Sequence, residues 1–312
     1  MGLPLAVVGA GTWGLALAAA AARAGSETFL YSRKSEGLAL PKGVTVIREL
    51  ADVGKRARLI VLAVPSGVAR DVARGLGDGT DGRHLVVHGI RGLDKDMNPI
   101  SEVVRQETPV RRVGAIGGPA LAEDLLAGTP SVLVCGSNFP EVNAAVTTGL
   151  GSAALRIYTT NDLRGLEWAS ALIGGLVIGI GAAEEIGTSP GLVAAVISRG
   201  VEEAARIAAA AGGEERTLLG LAGYGDLLAS IGQTKRPEVV LGRALARGAT
   251  LESAIKDTGM RIEAVELVPR VVTWAKARNV EVPIFDALSR AIFGKAKIGE
   301  IIRELMTNPM RG

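Results

Sequence analysis

The sequence predicts an α/β fold, a doubly wound and mostly parallel sheet, followed by an all-helical C-terminal domain. Short runs rich in β-branched residues alternate with helical stretches up to about residue 157, which is typical of such a sheet. Beyond Thr159 the strand-like runs stop, and long Ala/Leu/Ile/Val segments with a 3.6-residue period continue to the end. We therefore predict two domains, residues 1–158 and 159–312.

A glycine turn follows the first apolar run. Residues 5–14 read LAVVGAGTWG, and the Ala-rich stretch LALAAAAARAG follows at once. Gly9 permits the reversal, Gly11 lets backbone approach phosphates, and Gly14 lets the helix pack closely on the strand. We expect a dinucleotide at Gly9, Gly11, Thr12, Trp13 and Gly14, with its pyrophosphate at the start of the helix from Thr12. A plain structural turn is the alternative.

The remaining elements are predicted from the same patterns. Asn161 or Asp162 is a plausible N-cap for a long helix through Glu185, and Gly or Pro residues divide the helices after it. Helix breaks are expected at Gly187–Pro190, Gly212–Gly213, Pro237, Gly248 and Pro283. The predicted strands are LAVVG (5–9), ETFLY (27–31), GVTVI (43–47), ARLIVLAV (57–64), HLVVHGI (84–90), VRRVGAI (110–116), TPSVLVCG (129–136) and ALRIY (154–158).

Composition limits the function classes. Hydrophobic residues make up 48% of the 312 residues but aromatic residues only 3%, so Ala-rich helices must pack closely. The net charge of +3 is spread along the chain, which argues against nucleic acid as a partner. The single cysteine, Cys135, fits a reducing compartment. The first strand begins too early for a secretory signal, so we expect a cytoplasmic protein. The apolar stretch 168–183 is too short for a membrane span and predicts a buried core helix.

The residues at the end of the second predicted strand bear on the choice between NAD and NADP. An NAD-selective site usually has an acidic residue there for the ribose 2′-hydroxyl, whereas this chain has Ser32, Arg33 and Lys34. A hydroxyl and two cations suit a 2′-phosphate, so NADP is at least as good a candidate as NAD; a solvated basic turn is the alternative. Pro65 follows a buried strand at the sheet edge where the cofactor would lie. A plain N-cap role of Ser66 for the next helix is the alternative.

Two residues are candidates for acid/base chemistry. His88 ends a predicted strand, where loops of a parallel sheet face the ligand crevice, and imidazoles titrate near neutral pH. A structural histidine is the alternative. Asp226 follows the glycine-rich segment GLAGYG at a helix start, either as an N-cap or as a carboxylate in the substrate site. No cluster of metal ligands accompanies His84 and His88, so we predict no metal site.

Seven segments spread over nearly the whole chain carry a family resemblance. They are GAGTWGLALA (9–18), AVPSG (63–67), GGPALAEDLLAGTPSVLV (117–134), SRG (198–200), GLAGYGDLL (220–228), GMRIEAV (259–265) and VPIFDAL (282–288). Together they resemble the NAD(P)-dependent glycerol-3-phosphate dehydrogenases of bacterial type, and GxGxWG with GLAGxGDL at this separation is quite specific. The resemblance implies a Rossmann-type domain joined to a helical substrate and dimerisation domain, commonly a homodimer, that interconverts dihydroxyacetone phosphate and sn-glycerol 3-phosphate.

The departures from the family pattern concern its chemistry. The family segment ELGGALKN has a lysine that serves as acid and base; here EWASALIG has Ile173 and Gly174 at the last two positions. The family's other active-site lysine corresponds to His88. The arginine and asparagine of its SRNR segment correspond to Pro237 and Glu238.

Other family positions keep a polar group. The resemblance retains Asp226, Ser230 in place of a threonine, and Glu263, whose segment approaches the cofactor in the family. Lys235 and Arg236 are candidates for binding a substrate phosphate. We expect an NAD(P)-dependent dehydrogenase of glycerol 3-phosphate, or of a similar small polyol phosphate or hydroxy acid, with altered acid/base residues and His88 as the first candidate for the proton. A non-catalytic nucleotide-binding relative is the alternative.

Overall fold

The computed structural model describes residues 2–33, 37, 39–259, 261–294, 300, 301 and 304, with Asp257 described by its backbone only. The predicted fold class is confirmed: an eight-stranded, mostly parallel sheet with helices precedes an all-helical region. All eight predicted strands are present. They are β1 (Leu5–Val8), β2 (Thr28–Tyr31), β3 (Val44–Ile47), β4 (Leu59–Leu62), β5 (Leu85–His88), β6 (Arg112–Gly117), β7 (Ser131–Gly136) and β8 (Leu155–Thr160).

The sheet has the order β3-β2-β1-β4-β5-β6-β7-β8. Every neighbouring pair is parallel except β6 with β7. Chain order reverses between β1 and β4, and ligands of open α/β sheets bind outside the carboxyl ends of the strands at such a point. The register pairs Val8 with both Tyr31 and Leu62, so the segments that follow these three strands leave the sheet side by side.

Helices cover the sheet in the first compact unit, residues 1–170. Its core combines aliphatic strand residues with the buried alanines of the first helix, Ala16 to Ala21. Small side chains let that helix lie close to the sheet, as the shortage of aromatic residues predicts. These helices are α1 (Thr12–Arg23), α2 (Val53–Arg56), α3 (Ser66–Gly77), α4 (Ile100–Glu107), α5 (Ala122–Ala127) and α6 (Pro140–Leu150), with a 3₁₀ helix at Leu50–Asp52.

Helix α7 (Leu163–Glu185) is the long apolar helix of the chain. Asp162 is its N-cap, because the carboxylate accepts a hydrogen bond from the Gly165 amide at 2.8 Å. By length and composition the helix could cross a bilayer, but 94% of its most apolar stretch is buried inside the protein, as predicted for a core helix. The second compact unit begins within this helix, at Ala171. The boundary expected between residues 158 and 159 stays a prediction for the functional domains.

The second unit, residues 171–312, is helical wherever it has regular structure in its described part. All the expected helix breaks are found. The helices after α7 are α8 (Pro190–Ala210), α9 (Glu215–Leu219), α10 (Asp226–Leu228), α11 (Pro237–Ala246), α12 (Leu251–Thr258), α13 (Glu263–Lys276) and α14 (Pro283–Ile292). A π-helix at Leu221–Gly225 replaces the glycine-rich turn expected before Asp226.

Two glycines allow a close crossing of α7 and α11. A Cβ on Gly181 would lie 2.5 Å from the Val239 carbonyl oxygen, and a Cβ on Gly242 would lie 2.0 Å from the Ile178 carbonyl oxygen. Neither position accepts a side chain unless backbone moves, so the two helices are in direct main-chain contact. This crossing fixes α11 against α7 within the second unit.

A buried glutamate caps the last long helix. Glu203 of α8 is almost fully buried, and its carboxylate accepts hydrogen bonds from the backbone amides of Ile284 (3.0 Å) and Phe285 (2.7 Å), in the first turn of α14. Burial raises the pKa of Glu203 from its ordinary value of 4.5 to about 7, against the opposing effect of the two amides and the charge of Arg206.

Glu203 should make the stability of the protein depend on pH. Because its pKa is raised in the folded state, its contribution is full below pH 4.5 and is lost as the pH rises through 7. The free energy of unfolding of the wild type minus that of Glu203→Gln should fall by roughly 2–3 kcal/mol between pH 5 and pH 8. Urea denaturation of both proteins at the two pH values measures it, and a constant difference would contradict the raised pKa.

Candidate functional site

The turn between β1 and α1 is shaped by two glycines that cannot carry a side chain. Gly9 has φ +119°, and a Cβ there would lie 2.3 Å from the Ala63 carbonyl oxygen beyond β4. A Cβ on Gly14 would lie 1.9 Å from the Gly9 carbonyl oxygen. The first turn of α1 is therefore packed against the end of β1, at the point where strand order reverses.

Gly11 differs from its two neighbours in the motif. A Cβ on Gly11 would meet no protein atom within 4 Å, so the glycine leaves space instead of avoiding a clash. Gly11 is the N-cap of α1 with extended backbone, and no side chain caps the helix. The amides that begin at exposed Thr12 and half-buried Trp13 therefore face this space with the positive end of the helix dipole. This cradle fits a dinucleotide pyrophosphate.

The segments after β2 and β4 lie beside the cradle, because the last residues of these strands pair with Val8, the last residue of β1. Ser32 is buried and Arg33 is exposed, whereas Lys34 lies outside the described residues. Pro65, not Ser66, is the N-cap of α3, and no side chain caps that helix. The expectation of a Ser66 cap is wrong, because Pro65 has the extended backbone of a cap and Ser66 already begins the helix.

His88 ends β5 as predicted, and its ring is held inside the protein. Nε2 lies 2.8 Å from Oε1 of Glu167 on α7, and both side chains are 2% exposed. Ser101 donates to the same carboxylate from its amide and its hydroxyl, each at 2.8 Å. The Ile90 amide faces Nδ1 at 3.4 Å. The partners fit a neutral imidazole with its proton on Nε2, and Nδ1 has the weaker contact.

Trp13 connects the cradle with the segment after β5. A Cβ on Gly89 would lie 2.6 Å from the Trp13 indole Nε1, so the indole of α1 packs directly against the backbone that follows His88. A side chain at residue 89 would displace the indole. The glycine after His88 thus keeps the start of α1 and the end of β5 together.

Asp226, Ser230 and Arg236 form a second cluster, in the helical unit. The Arg236 guanidinium donates from Nη1 to Asp226 Oδ1 at 3.1 Å and to Ser230 Oγ. The Ser230 hydroxyl donates to the Asp226 carbonyl oxygen at 2.8 Å. Glu238 accepts from Arg236 Nε at 3.3 Å. Asp226 is not an N-cap: Gly225 has that position, and Asp226 is the first residue of α10.

One guanidinium nitrogen in this cluster has no partner. Arg236 Nη2 is buried and receives no hydrogen-bond acceptor from the described residues, although the Arg236 side chain is only 7% exposed. A buried donor of this kind costs about 1–3 kcal/mol when it stays unsatisfied, so an acceptor from a ligand would be favourable there. Lys235 beside it is exposed.

The other positions compared with the family lie on α7 and α13. Ile173 is 0% exposed in the core. A Cβ on Gly174 would lie 3.2 Å from the Ala264 Cβ and 3.7 Å from Glu238 Oε1, so Gly174 borders the Arg236 cluster. Glu263 is the first residue of α13 and is half-buried. Its role at the cofactor stays a prediction, as do the roles of the other candidate residues.

Sequence reasoning missed partners in both polar clusters, that of His88 and that of Arg236. Glu167 and Ser101 were not considered as partners of His88, and Glu238 was seen only as a departure from the family pattern. Glu167 directly precedes the apolar stretch 168–183 that the sequence predicts to be a buried helix, and its side chain is buried. A carboxylate at the start of such a stretch needs a partner once it is buried, and this signal could have identified the contact.

Comparison with known proteins agrees with this architecture. Residues 32–143 match the family described as NAD-dependent glycerol-3-phosphate dehydrogenase N-terminus, and residues 162–303 match its C-terminus. A glycerol-3-phosphate dehydrogenase [NAD(P)+] of Parvibaculum lavamentivorans is 30% identical over 98% of this chain and 97% of its own length. One from Fusobacterium nucleatum is 27% identical over 97% and 96%.

A solved structure gives the same result. The crystal structure of glycerol-3-phosphate dehydrogenase from Coxiella burnetii superimposes with a TM-score of 0.91 at 26% identity, covering 98% of this chain and 99% of that one. The likeness covers both the Rossmann-type unit and the helical unit. This chain belongs to the NAD-dependent glycerol-3-phosphate dehydrogenase family.

Proposed function

We propose that this protein is an NAD(P)-dependent dehydrogenase that oxidises and reduces the CH–OH group of a small anionic substrate of the glycerol 3-phosphate kind. Family membership makes it an oxidoreductase that uses NAD or NADP. The identity of the substrate is our inference: sn-glycerol 3-phosphate, a similar polyol phosphate or a hydroxy acid. We further propose that the protein acts in the cytoplasm as a homodimer.

The unpartnered Arg236 Nη2 carries the proposal of an anionic substrate. A guanidinium binds carboxylate and phosphate oxygens through directed N–H groups. Here Asp226 and Ser230 hold Nη1 and Glu238 holds Nε, so the side chain is fixed with Nη2 left to donate. Ser230 acts by positioning Arg236, and exposed Lys235 adds a positive charge beside it.

The reaction needs a hydride carrier and a group that moves a proton. When bound, the nicotinamide supplies hydride transfer at its C4. The cradle residues Gly9 to Gly14 hold the dinucleotide by its pyrophosphate, because α1 presents uncapped amides there. The proton of the substrate hydroxyl must go to a protein group or to water as the hydride leaves the carbinol carbon.

His88 is our candidate for that proton. Glu167 holds Nε2, as a carboxylate orients the histidine of a catalytic triad, and this leaves Nδ1 with only the 3.4 Å contact to the Ile90 amide. A proton would therefore be exchanged at Nδ1, with Glu167 and Ser101 as positioning residues. Asp226 acts on the substrate through Arg236, which it holds at 3.1 Å.

A non-catalytic or weakly active nucleotide-binding protein is the second candidate. Its support is Ile173, which is fully buried and which the sequence resemblance aligns with the family's acid/base lysine, together with the absence of any lysine between residues 155 and 234 of the sequence. An isoleucine cannot move a proton. The two candidates share the cradle and differ in turnover.

NADP is our proposed choice between the two cofactors. The sequence has Ser32, Arg33 and Lys34 where NAD-selective enzymes have an acidic residue. Arg33 is exposed after β2, whose end lies beside the end of β1 in the register. A 2′-phosphate would meet positive charge at this edge.

Gly11→Val should abolish dinucleotide binding without unfolding the protein. The added side chain would fill the space that no protein atom occupies, so the phosphates lose their place while the fold keeps its contacts. Fluorescence titration with NADPH measures binding, and thermal melting measures the fold. Gly82→Val, also in open space, is the matched control. Unchanged NADPH affinity in Gly11→Val would refute the cradle.

Arg33→Ala should weaken NADPH binding by about ten- to a hundredfold and leave NADH binding unchanged, because a charge-assisted contact to the 2′-phosphate contributes roughly 1.5–3 kcal/mol. Titration of both cofactors gives the two dissociation constants. Arg111→Ala removes another exposed arginine, which precedes β6 and so lies at the amino end of its strand, whereas Arg33 lies at the carboxyl end of β2. This control should change neither dissociation constant. An equal loss for both cofactors would mean that Arg33 does not contact the 2′-phosphate.

Oxidation of glycerol 3-phosphate should be slow, by about 10²–10⁴-fold relative to an enzyme with a general acid/base lysine. The remaining rate should be lost in His88→Ala, because that variant has no ring nitrogen to exchange the proton. His84→Ala, which removes the other buried histidine, is the control. Reduced-cofactor absorbance measures turnover. Fast turnover that survives His88→Ala would exclude His88, and no turnover with any substrate would favour the non-catalytic candidate.

A further inference from the structure

Arg236 lies between two carboxylates. Asp226 accepts from Nη1 at 3.1 Å and Glu238 accepts from Nε at 3.3 Å. Two carboxylates therefore already face the positive charge of the guanidinium that would bind an anion through Nη2.

This charge balance affects a phosphate more than a carboxylate. A phosphate monoester carries close to two negative charges at neutral pH, because its second pKa is about 6. A hydroxycarboxylate carries one. Coulomb energy scales with the product of the charges, so each carboxylate of the cluster repels the dianion twice as strongly as the monoanion. The Lys235 ammonium is exposed, where solvent screens it.

The two carboxylates differ in what they can do. Asp226 is 1% exposed and is enclosed by Arg236 and Ser230. Glu238 lies in the first turn of α11, next to Pro237, and its side chain is 16% exposed. Its Oε1 would lie 3.7 Å from a Cβ on Gly174, which places it beside α7. Glu238 is therefore the more accessible of the two carboxylates to a ligand at Nη2.

We propose that Glu238 is a specificity-determining residue that makes the Arg236 cluster favour a ligand with one negative charge, a small 2-hydroxycarboxylate, over a phosphate dianion. This inference rests on the proposed function, in which Arg236 Nη2 binds the anionic group of the substrate. Replacing Glu238 by an uncharged residue of the same shape should shift the preference towards phosphate.

Calorimetric titration of the NADPH-saturated protein tests this with three probes: glycerol 3-phosphate, glycerate and uncharged glycerol. The reduced cofactor prevents turnover of these alcohols. The wild type should bind glycerate more tightly than glycerol 3-phosphate. In Glu238→Gln we expect affinity to rise about tenfold for glycerol 3-phosphate and about threefold for glycerate, because the logarithm of the change scales with ligand charge. Glycerol should be unaffected.

The control variants separate the two proposals. Glu202→Gln removes an exposed glutamate that pairs with Arg199 on α8 and should leave all three affinities unchanged. Arg236→Lys keeps the charge but removes the fork of N–H groups and should weaken both anions. If Glu238→Gln changes both anions equally or not at all while Arg236→Lys weakens them, the role of Glu238 is refuted and the proposed function stands. If neither anion binds the wild type, or Arg236→Lys has no effect, the anion site itself is refuted and both proposals fail.

Discussion

The close contact of α1 with the end of β1 is the constraint on which the cofactor site depends. The Gly9 carbonyl oxygen occupies the place that a Cβ on Gly14 would need, and the Ala63 carbonyl oxygen occupies that of Gly9. The backbones of three segments are thereby held in direct contact: the end of β1, the segment after β4 and the start of α1. Only in this arrangement does the uncapped start of α1 lie at the reversal of strand order, where its amides can converge on an anion.

The two polar clusters follow a common rule for buried charge. His88 has a carboxylate partner whose oxygens also accept from Ser101, and Arg236 is held by Asp226, Ser230 and Glu238. Removing a charge from water costs several kcal/mol per ion unless partners and hydrogen bonds compensate. In the first cluster both carboxylate oxygens of Glu167 and both ring nitrogens of His88 have a hydrogen-bond partner. The second cluster leaves Nη2 without an acceptor among the described residues, which makes it the better candidate for contact with a ligand.

Local patterns in the sequence predicted the strands, the helix breaks, the Asp162 cap and the glycine turn, because each depends on neighbouring residues. The π-helix at Leu221–Gly225 was missed because its glycines are also typical of a turn. Gly223 is needed instead because its backbone packs directly on that of Leu218, and the sequence does not show this contact. The contacts of Glu167 and Glu203 were missed because they join residues 66 or more positions apart. Periodicity identifies a buried face but not the partner of a charge on it. The resemblance identified the Arg236 region, yet Glu238 acquired meaning only from its distance to Arg236 Nε.

The contact between Glu203 and the start of α14 has a consequence for the order in which the chain acquires structure. The carboxylate belongs to α8, but its donors, the Ile284 and Phe285 amides, come about 80 residues later. During synthesis the polypeptide exposes Glu203 long before these donors exist, so the apolar packing around α8 cannot be completed by the preceding helices alone. Closing so long a loop has an entropic cost that is recovered only when α14 docks. The Glu203 carboxylate thus acquires these two hydrogen-bond donors only after the start of α14 has been made.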